Sequence, residues 1–339
     1  MNREPILAEA AREGKGGAMT IPEPRRVDPE LMAAVESCRR AYEERAVRLG
    51  QTPEPPAQQR EPERQLQPKV IQLDFWEDGK RAGPNAIFRA ALFPALNNKQ
   101  SRRYLKEQHL FSVSGVKVIF TGAQFDQSDL DIYLELLNLA RPFPLGTPVK
   151  FSAYGILKVL GRSTGNKDHK WLHSVLIRLC GGVVEITDHK KRYFGHLIEG
   201  GFKDEITKHY EITINPRFAV LFGFGMWATI DRAQRYALGR NAIAKSLHAY
   251  YSTHAGAGPH SFETLAGIAG LTDKNPRKIR MKIKDAHDLL KAEEIGFLKD
   301  YETKNDMISA YVQHTPSQNR HIARKIIKSR KKHPRDSTG

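Results

Sequence analysis

Ser261-Phe-Glu-Thr-Leu-Ala-Gly-Ile-Ala-Gly270-Leu-Thr-Asp-Lys-Asn-Pro276-Arg-Lys-Ile-Arg-Met-Lys-Ile-Lys-Asp-Ala-His-Asp-Leu-Leu290 is the stretch that decides the fold. Ser261 is a helix N-cap, acting without the Glu or Gln three residues on that a capping box needs. The short helix it opens carries Leu265 and Ile268 and ends at Gly270. A turn, Leu271–Asn275, then delivers Pro276 to the first position of a second helix, where its missing N–H costs nothing. That helix extends to about Glu294. At ~100° per residue, Ile279, Ile283, Ala286 and Leu290 fall within about 60° of one another and must face a core. The opposite face carries Lys274, Arg277, Met281, Lys284 and Asp288, with Lys278 and Arg280 beside them. Phe297–Glu302 and Met307–Val312 follow as a hairpin around Thr303–Asp306, and a helix over about 239–253 precedes, contributing Ile243, Leu247, Tyr250 and Tyr251. Helix, short helix, turn, basic helix and hairpin is the order of a winged helix-turn-helix.

Working outward, the same order stands earlier in the chain. A strand at Val116–Phe120 precedes a helix over Ser128–Leu139, with Ser128 as its cap. A short strand, Val149–Phe151, leads to Ser152, which caps a short helix through Ile156, Leu157 and Leu160 to Gly161. After Arg162–Asn166 comes a helix over 167–180, with Leu172, Val175, Leu176 and Leu179 on one face. Its other side presents Asn166, Lys170, His173 and Ile177, with Lys167 at its start and Ser174 and Arg178 flanking. Val183–Thr187 and Tyr193–Ile198 read as a hairpin whose charged tip, Asp188–Arg192, is taken as the wing, and Tyr210–Ile214 is a third strand. The fold class is therefore α+β, two tandem winged helix-turn-helix domains. The expected boundaries are 78–226 and 227–316, followed by a basic tail over 317–339 that has eight Lys+Arg from Arg320 to Arg335 and no acid among them.

The charge follows this layout. The 339 residues carry a formal net charge of +16. Residues 1–70 hold 12 Lys+Arg and 12 Asp+Glu together with 9 of the 19 prolines, so the whole excess lies downstream. Such a Pro-rich, aromatic-poor segment cannot bury enough apolar surface to offset its ordering entropy, and disorder is expected. One amphipathic helix over 29–49 is expected within it, with Leu31, Val35, Cys38, Tyr42, Ala46 and Leu49 as its stripe. Two cysteines, Cys38 and Cys180, support neither a disulfide scaffold nor a zinc site. No apolar run approaches the ~18–20 residues of a membrane span, and no secretory signal is visible. The expectation is a cytoplasmic basic protein with a polyanionic partner.

The basic faces suit DNA. An N-terminal basic half over an apolar underside lets a helix enter the major groove while flanking Lys and Arg meet phosphates. The candidate DNA-binding residues are Asn166, Lys167, Lys170, His173, Ser174 and Arg178 on the first helix; Lys190, Lys191 and Arg192 at the wing; and Lys274, Asn275, Arg277, Lys278, Arg280, Met281 and Lys284 on the second helix. Asn reads adenine, and Arg and Lys serve guanine or phosphate. An ordinary solvated cationic face is the competing reading. His169 and His173 stand i, i+4 but lack a third ligand, so no metal and no cofactor are expected. Gly161–Lys167 fails the spacing of a phosphate loop, and no catalytic motif is present, so no enzyme is expected.

Ile71-Gln72-Leu73-Asp74-Phe75-Trp76 resembles the pentapeptide by which bacterial replication proteins dock on the sliding clamp. There Leu73, Phe75 and Trp76 would fill apolar pockets and Gln72 would bond the rim, with Asp74 between them; alternatively the aromatic pair straps onto the first domain. Taken with Arg81-Ala-Gly-Pro-Asn85, Arg89-Ala-Ala-Leu-Phe93, Asn98-Lys99, Val118-Ile-Phe-Thr-Gly122, Pro144-Leu-Gly-Thr-Pro148, Val220-Leu-Phe222 and Tyr250-Tyr-Ser-Thr-His254, the chain resembles the TrfA-type plasmid replication initiators over residues 71–302. That resemblance implies tandem winged helices that bind iteron repeats in a plasmid origin, help to melt adjacent AT-rich DNA and contact its single strands. It also implies recruitment of the host replicative helicase and initiator, contact with the clamp, and a monomer–dimer equilibrium tied to copy number. The turn Arg162–Lys167 departs from the family, so its target site should differ. A tandem winged-helix transcriptional regulator and, further off, a DNA nickase are the alternatives.

Overall fold

A computed structural model describes residues 76–96, 101–188, 191–223, 226–254 and 258–313, together with Gln72, Leu73, Asn319 and scattered positions from 33 to 48. The chain divides into two units, 1–68 and 69–339. In the first, the described residues between Ala33 and Arg48 are helical and exposed. The apolar stripe expected there lies outside the described residues, as do the disorder expected elsewhere in residues 1–70 and the basic tail, Asn319 excepted.

The second unit begins with β1 (Lys80–Pro84), α1 (Asn85–Phe88), β2 (Tyr104–Leu110), β3 (Val116–Ala123) and α2 (Gln127–Ala140). Asp126, not Ser128, caps α2. Its carboxylate accepts from Ser128 N and Asp129 N, and Asp129 returns a bond to the Asp126 N–H, closing a reciprocal box. A carboxylate offers two acceptor oxygens where a serine has one hydroxyl, and it also suits the positive helix end. Then come β4 (Val149–Ser152), α3 (Ala153–Val159) and α4 (Asn166–Gly181). Ser152 caps α3 as expected, at 3.0 Å from Gly155 N, and Leu172, Val175, Leu176 and Leu179 of α4 are buried.

The hairpin expected to be the wing proves to be an insertion. β5 (Val183–Asp188) and β6 (Lys191–His196) pair with β3, giving a four-stranded sheet in the order β2-β3-β5-β6. The wing is the next hairpin, β7 (Ile198–Lys203) with β8 (His209–Ile214), because β8 pairs with β4 directly ahead of the helix-turn-helix, in the order β4-β8-β7. The sequence concealed this because Ile198-Glu-Gly-Gly-Phe-Lys203 lacks the alternation that marks a strand, and the four-residue tip at 205–208 is less basic than Lys190-Lys191-Arg192.

After the 3-10 turn Pro216–Phe222, β9 (Trp227–Asp231) returns to pair with β1, Lys80 opposite Asp231 and Pro84 opposite Trp227. The expected boundary at 226/227 therefore precedes a strand whose partner belongs to the first half. The helix expected over 239–253 is α6 (Ala242–Ser252), capped by Asn241; a further short helix that the sequence reading did not include, α5 (Arg232–Ala237), precedes it, with Gly239 at φ +56° between the two. The second half continues with β10 (His260–Ser261), α7 (Phe262–Ile268), α8 (Pro276–Lys291), β11 (Leu298–Lys304) and β12 (Met307–Val312), its sheet ordered β10-β12-β11. This repeats β4-β8-β7 strand for strand. The wing turn shrinks from the expected four residues to Asn305–Asp306, both at positive φ, the conformation a two-residue hairpin turn demands.

Two cores result. One runs from Leu73 to Ile230, with Ala249 joining it, and the other from Leu238 to Val312. They are joined by specific contacts. Ala95 N bonds Ala269 O at 2.8 Å, Arg89 bonds the Thr253 hydroxyl and carbonyl, and Phe111 lies over Gly267. Gly270, at φ +63°, sits where a Cβ would come within 2.4 Å of Pro94 Cβ, so the residue closing α7 is held to glycine by both conformation and contact.

Candidate nucleic-acid interface

The two exposed helices align through their cores. Leu172, Val175, Leu176 and Leu179 of α4 correspond to Ile283, Ala286, His287 and Leu290 of α8, all buried, with the same spacing. His287 thus occupies a leucine's place. Its Nδ1 bonds Ile283 O at 2.7 Å and its Nε2 meets the Tyr251 hydroxyl at 2.8 Å, so both ring nitrogens are satisfied.

On α8 the outward face is as the sequence predicts. Lys274, Arg277, Lys278, Met281 and Lys284 are exposed, Met281 at 55%. The helix start is fixed by Asn275, whose side-chain oxygen accepts from Arg277 N at 3.0 Å and Lys278 N at 3.4 Å. Asn275 is therefore a cap, and its carbonyl is not free to read a base. Arg280 is tied to Asp306 of the wing turn at 2.7 Å, and Lys282 to Asp273 at 2.6 Å. Among the described residues, Lys274, Arg277, Lys278 and Lys284 have no acidic partner, so their charge is open to an anion.

On α4 the result is divided. Asn166, Lys167, Lys170, His173, Ser174 and Ile177 are exposed. His173 Nδ1 lies 3.3 Å from the Tyr210 hydroxyl of the wing strand β8. Arg178, expected at the interface, is half-buried and engaged with an acid. Its Nη2 meets Asp129 Oδ1 at 2.7 Å and its Nε meets Oδ2 at 3.2 Å, while Nη1 bonds the Ser174 hydroxyl. Asp129 is fully buried, and burial pushes its carboxyl up to about 6 against the hydrogen bond from Arg178 that holds it down. Arg178 is thus a strut between α4 and the start of α2, as an arginine that balances a buried acid must be.

Of the hairpin residues expected at the wing, Lys190 lies outside the described residues, as does the side chain of Lys191. Arg192 is ion-paired to Glu185 within its own hairpin. Sequence reasoning missed the true wing, whose tip carries Lys203 and Lys208, both bonded to Glu205. With Asn166, His169, Lys170, His173 and Ser174 of α4 it encloses a cleft of about 560 Å³. His169 and His173 are two nitrogens without a third ligand, and among the described residues no group of three or more His, Cys, Asp or Glu stands ready to hold a metal.

The clamp-like peptide is strapped down. Leu73 is 5% exposed and Trp76 3%, both in the first core. Trp76 Nε1 donates to Asn138 Oδ1 at 3.1 Å, its ring lies 6.2 Å from that of Trp227, and Arg141 both covers the ring and bonds the Trp76 carbonyl. Gln72 is exposed and bridges Pro144. Asp74 and Phe75 lie outside the described residues.

Two helix-turn-helix units, each with a three-stranded winged sheet and an exposed polar helix, define a tandem winged-helix protein. Within that class the chain belongs to the TrfA protein family, whose sequence model matches residues 57–310. It is 24% identical over 241 residues to the plasmid replication initiator protein TrfA of Escherichia coli, a match covering 67% of this chain and 61% of that relative's length. Among solved structures it is similar to domains 2 and 3 of RctB (TM-score 0.46, 9% identity, 68% of this chain and 99% of that one). It is also similar to the Pi initiator protein in complex with iteron DNA (TM-score 0.45, 11% identity, 71% and 100%). Among the described residues no helix is long and apolar enough to cross a membrane.

Proposed function

We propose that this chain is a non-enzymatic, sequence-specific initiator that binds double-stranded iteron repeats in a plasmid origin in the bacterial cytoplasm, helps to open the adjacent AT-rich DNA and recruits host replication proteins. The observation that carries the reading is the outward face of α8 and the turn before it, where Lys274, Arg277, Lys278 and Lys284 stand exposed around Met281 with no acidic partner among the described residues. A helix of this kind reaches base edges with its first turns and phosphates with its flanks. Asn166, Lys167, Lys170 and His173 of α4 read a second face of the same site.

The reading extends to single strands of the melted tract, to the host replicative helicase and initiator, to the sliding clamp and to a second copy of the chain. Clamp contact through Leu73 and Trp76 requires that strap to leave the core first. With no nucleotide site assigned, opening draws on the bending energy of several bound copies.

Footprinting on DNA flanking the gene tests the proposal. A protected array of direct repeats is expected. Arg277→Ala with Lys278→Ala removes it without unfolding the chain, since both side chains are exposed. If roughly 6–10 phosphates are neutralised, affinity falls about 10³–10⁵-fold between 50 and 200 mM salt. A flat salt response, or protection retained in the double variant, overturns the assignment.

A further inference from the structure

The two wings are built for different work. The second wing turns in two residues, and its Asp306 is held by Arg280, so it presents a short polar tip. The first is longer and ends in an apolar apex: Ile206 is 92% exposed, and Phe202, four residues earlier, is 62% exposed.

That apex is held rigidly in water. The Asp204 carboxylate accepts from Ile206 N at 2.7 Å and Thr207 N at 2.9 Å. Lys208 N bonds Asp204 O at 2.9 Å, and Asp204 N bonds His209 O at 2.9 Å. Asp204 is spent on these bonds, which hold its carboxyl below the ordinary range. The tip's two lysines are spent as well, Lys203 and Lys208 both closing on Glu205. The tip is therefore near neutral and is not a phosphate clamp. What it offers is one branched hydrocarbon side chain fixed at the apex. The same hairpin borders the cleft shared with Asn166, Lys170 and His173 of α4, so the apex stands beside a face assigned to DNA.

We propose that Ile206 is a wedge that enters the minor groove beside the site read by α4 and partly unstacks one base step, bending the duplex. This rests on the DNA-binding reading above and deepens it by assigning the deformation step to one side chain. Apolar wedges of this kind unstack base steps and kink DNA towards the major groove, and A·T-rich steps yield most readily. The gain from burying the isoleucine and the loss from unstacking are of similar size, so the wedge changes the shape of the DNA far more than it changes affinity.

The test uses the full chain and a duplex spanning its footprint, end-labelled for energy transfer and carrying 2-aminopurine at successive steps beside the protected site. Wild-type protein is expected to shorten the end-to-end distance and to brighten 2-aminopurine at one step. Ile206→Ser is expected to abolish both signals while the footprint midpoint moves by no more than about tenfold and the salt slope stays unchanged, since no phosphate contact is lost. Ile206→Leu restores the signals. Bending and brightening that persist in Ile206→Ser, or that Ile206→Leu fails to restore, overturn the wedge. Absence of any wild-type footprint overturns the DNA-binding reading instead, and shows before the variants are made.

Discussion

Arg235 and Asp131, 104 residues apart in sequence, meet at 2.6 Å between Nε and Oδ1 with the arginine side chain only 1% exposed. The pair joins α5, at the head of the second winged-helix half, to α2 of the first. Lys245 Nζ of α6 adds a bond to Asp131 Oδ2 at 2.7 Å, and Gln127 Oε1 accepts from Arg235 Nη2 at 3.0 Å. One turn further along α2, Glu135 takes Arg81 in a fork at 2.8 and 2.9 Å and also accepts from the Tyr236 hydroxyl. The two exposed helices, α4 and α8, are therefore presented by halves locked through buried charge.

Breaking this junction from one side strands a charge. Arg235→Ala or Asp131→Ala is expected to cost about 3–5 kcal/mol, as for other buried pairs that lose one member. Replacing all three members, Arg235→Met, Asp131→Leu and Lys245→Met, should cost much less, because the ammonium that also pairs with Asp131 is then not left behind. Urea unfolding of the three variants checks this. A loss in the multiple variant as large as the two single losses added together would show that these charges do not act as a unit.

The second half carries four histidines held neutral. Burial lowers His248 to about 3 and His254 to about 4, and it lowers His260 and His287 as well. The folded values lie below the unfolded one, so above about pH 6.5 both states are neutral and nothing is lost. As the pH falls, the unfolded chain takes up protons that the folded chain refuses, and stability drops by up to about 1.4 kcal/mol per pH unit for each such proton. Asp129, raised to about 6, works the opposite way but is one group against several. Unfolding free energy should therefore fall steeply from pH 6.5 to 4. His248→Leu should make the slope shallower whatever it does to stability at pH 7.

The local grammar of the chain was legible because short-range physics writes it. The Ser152 and Ser261 caps, Pro276 at the first helical turn and the buried face Leu172/Val175/Leu176/Leu179 follow from spacing alone. What failed was pairing between strands far apart. Nothing local says that Val183–Asp188 will choose Val116–Thr121 while Val149–Ser152 waits for His209–Ile212. The intramolecular partners of Arg178 and Asn275 were hidden for a related reason. Their helix positions face outward or lie at a terminus, and only the fold shows that Asp129 and the first-turn N–H groups claim them.

Lys170 and Arg178 separate binding from support. Lys170 is exposed on α4, and Lys170→Ala should weaken DNA binding and lower the salt slope by about 1 if it meets a phosphate. Arg178→Ala leaves Asp129 buried with one arginine fewer and should lower the unfolding free energy while the salt slope stays as in wild type. A slope change in Arg178→Ala would return that residue to the interface.

The strap around Trp76 sets stability against docking. Trp76→Ala removes a side chain packed on Trp227 and bonded to Asn138, and about 3–5 kcal/mol should be lost. The same burial keeps the peptide from any partner that needs Leu73 and Trp76 at once. A synthetic peptide covering residues 69–79 should therefore capture the sliding clamp better than the intact chain does, by the factor that the strap's closed equilibrium imposes. Destabilising the strap from the other side with Asn138→Ala, which leaves the peptide sequence untouched, should raise capture by the intact chain. If the intact chain already captures the clamp as well as the peptide does, the strap is open in solution and Trp76→Ala will cost little stability.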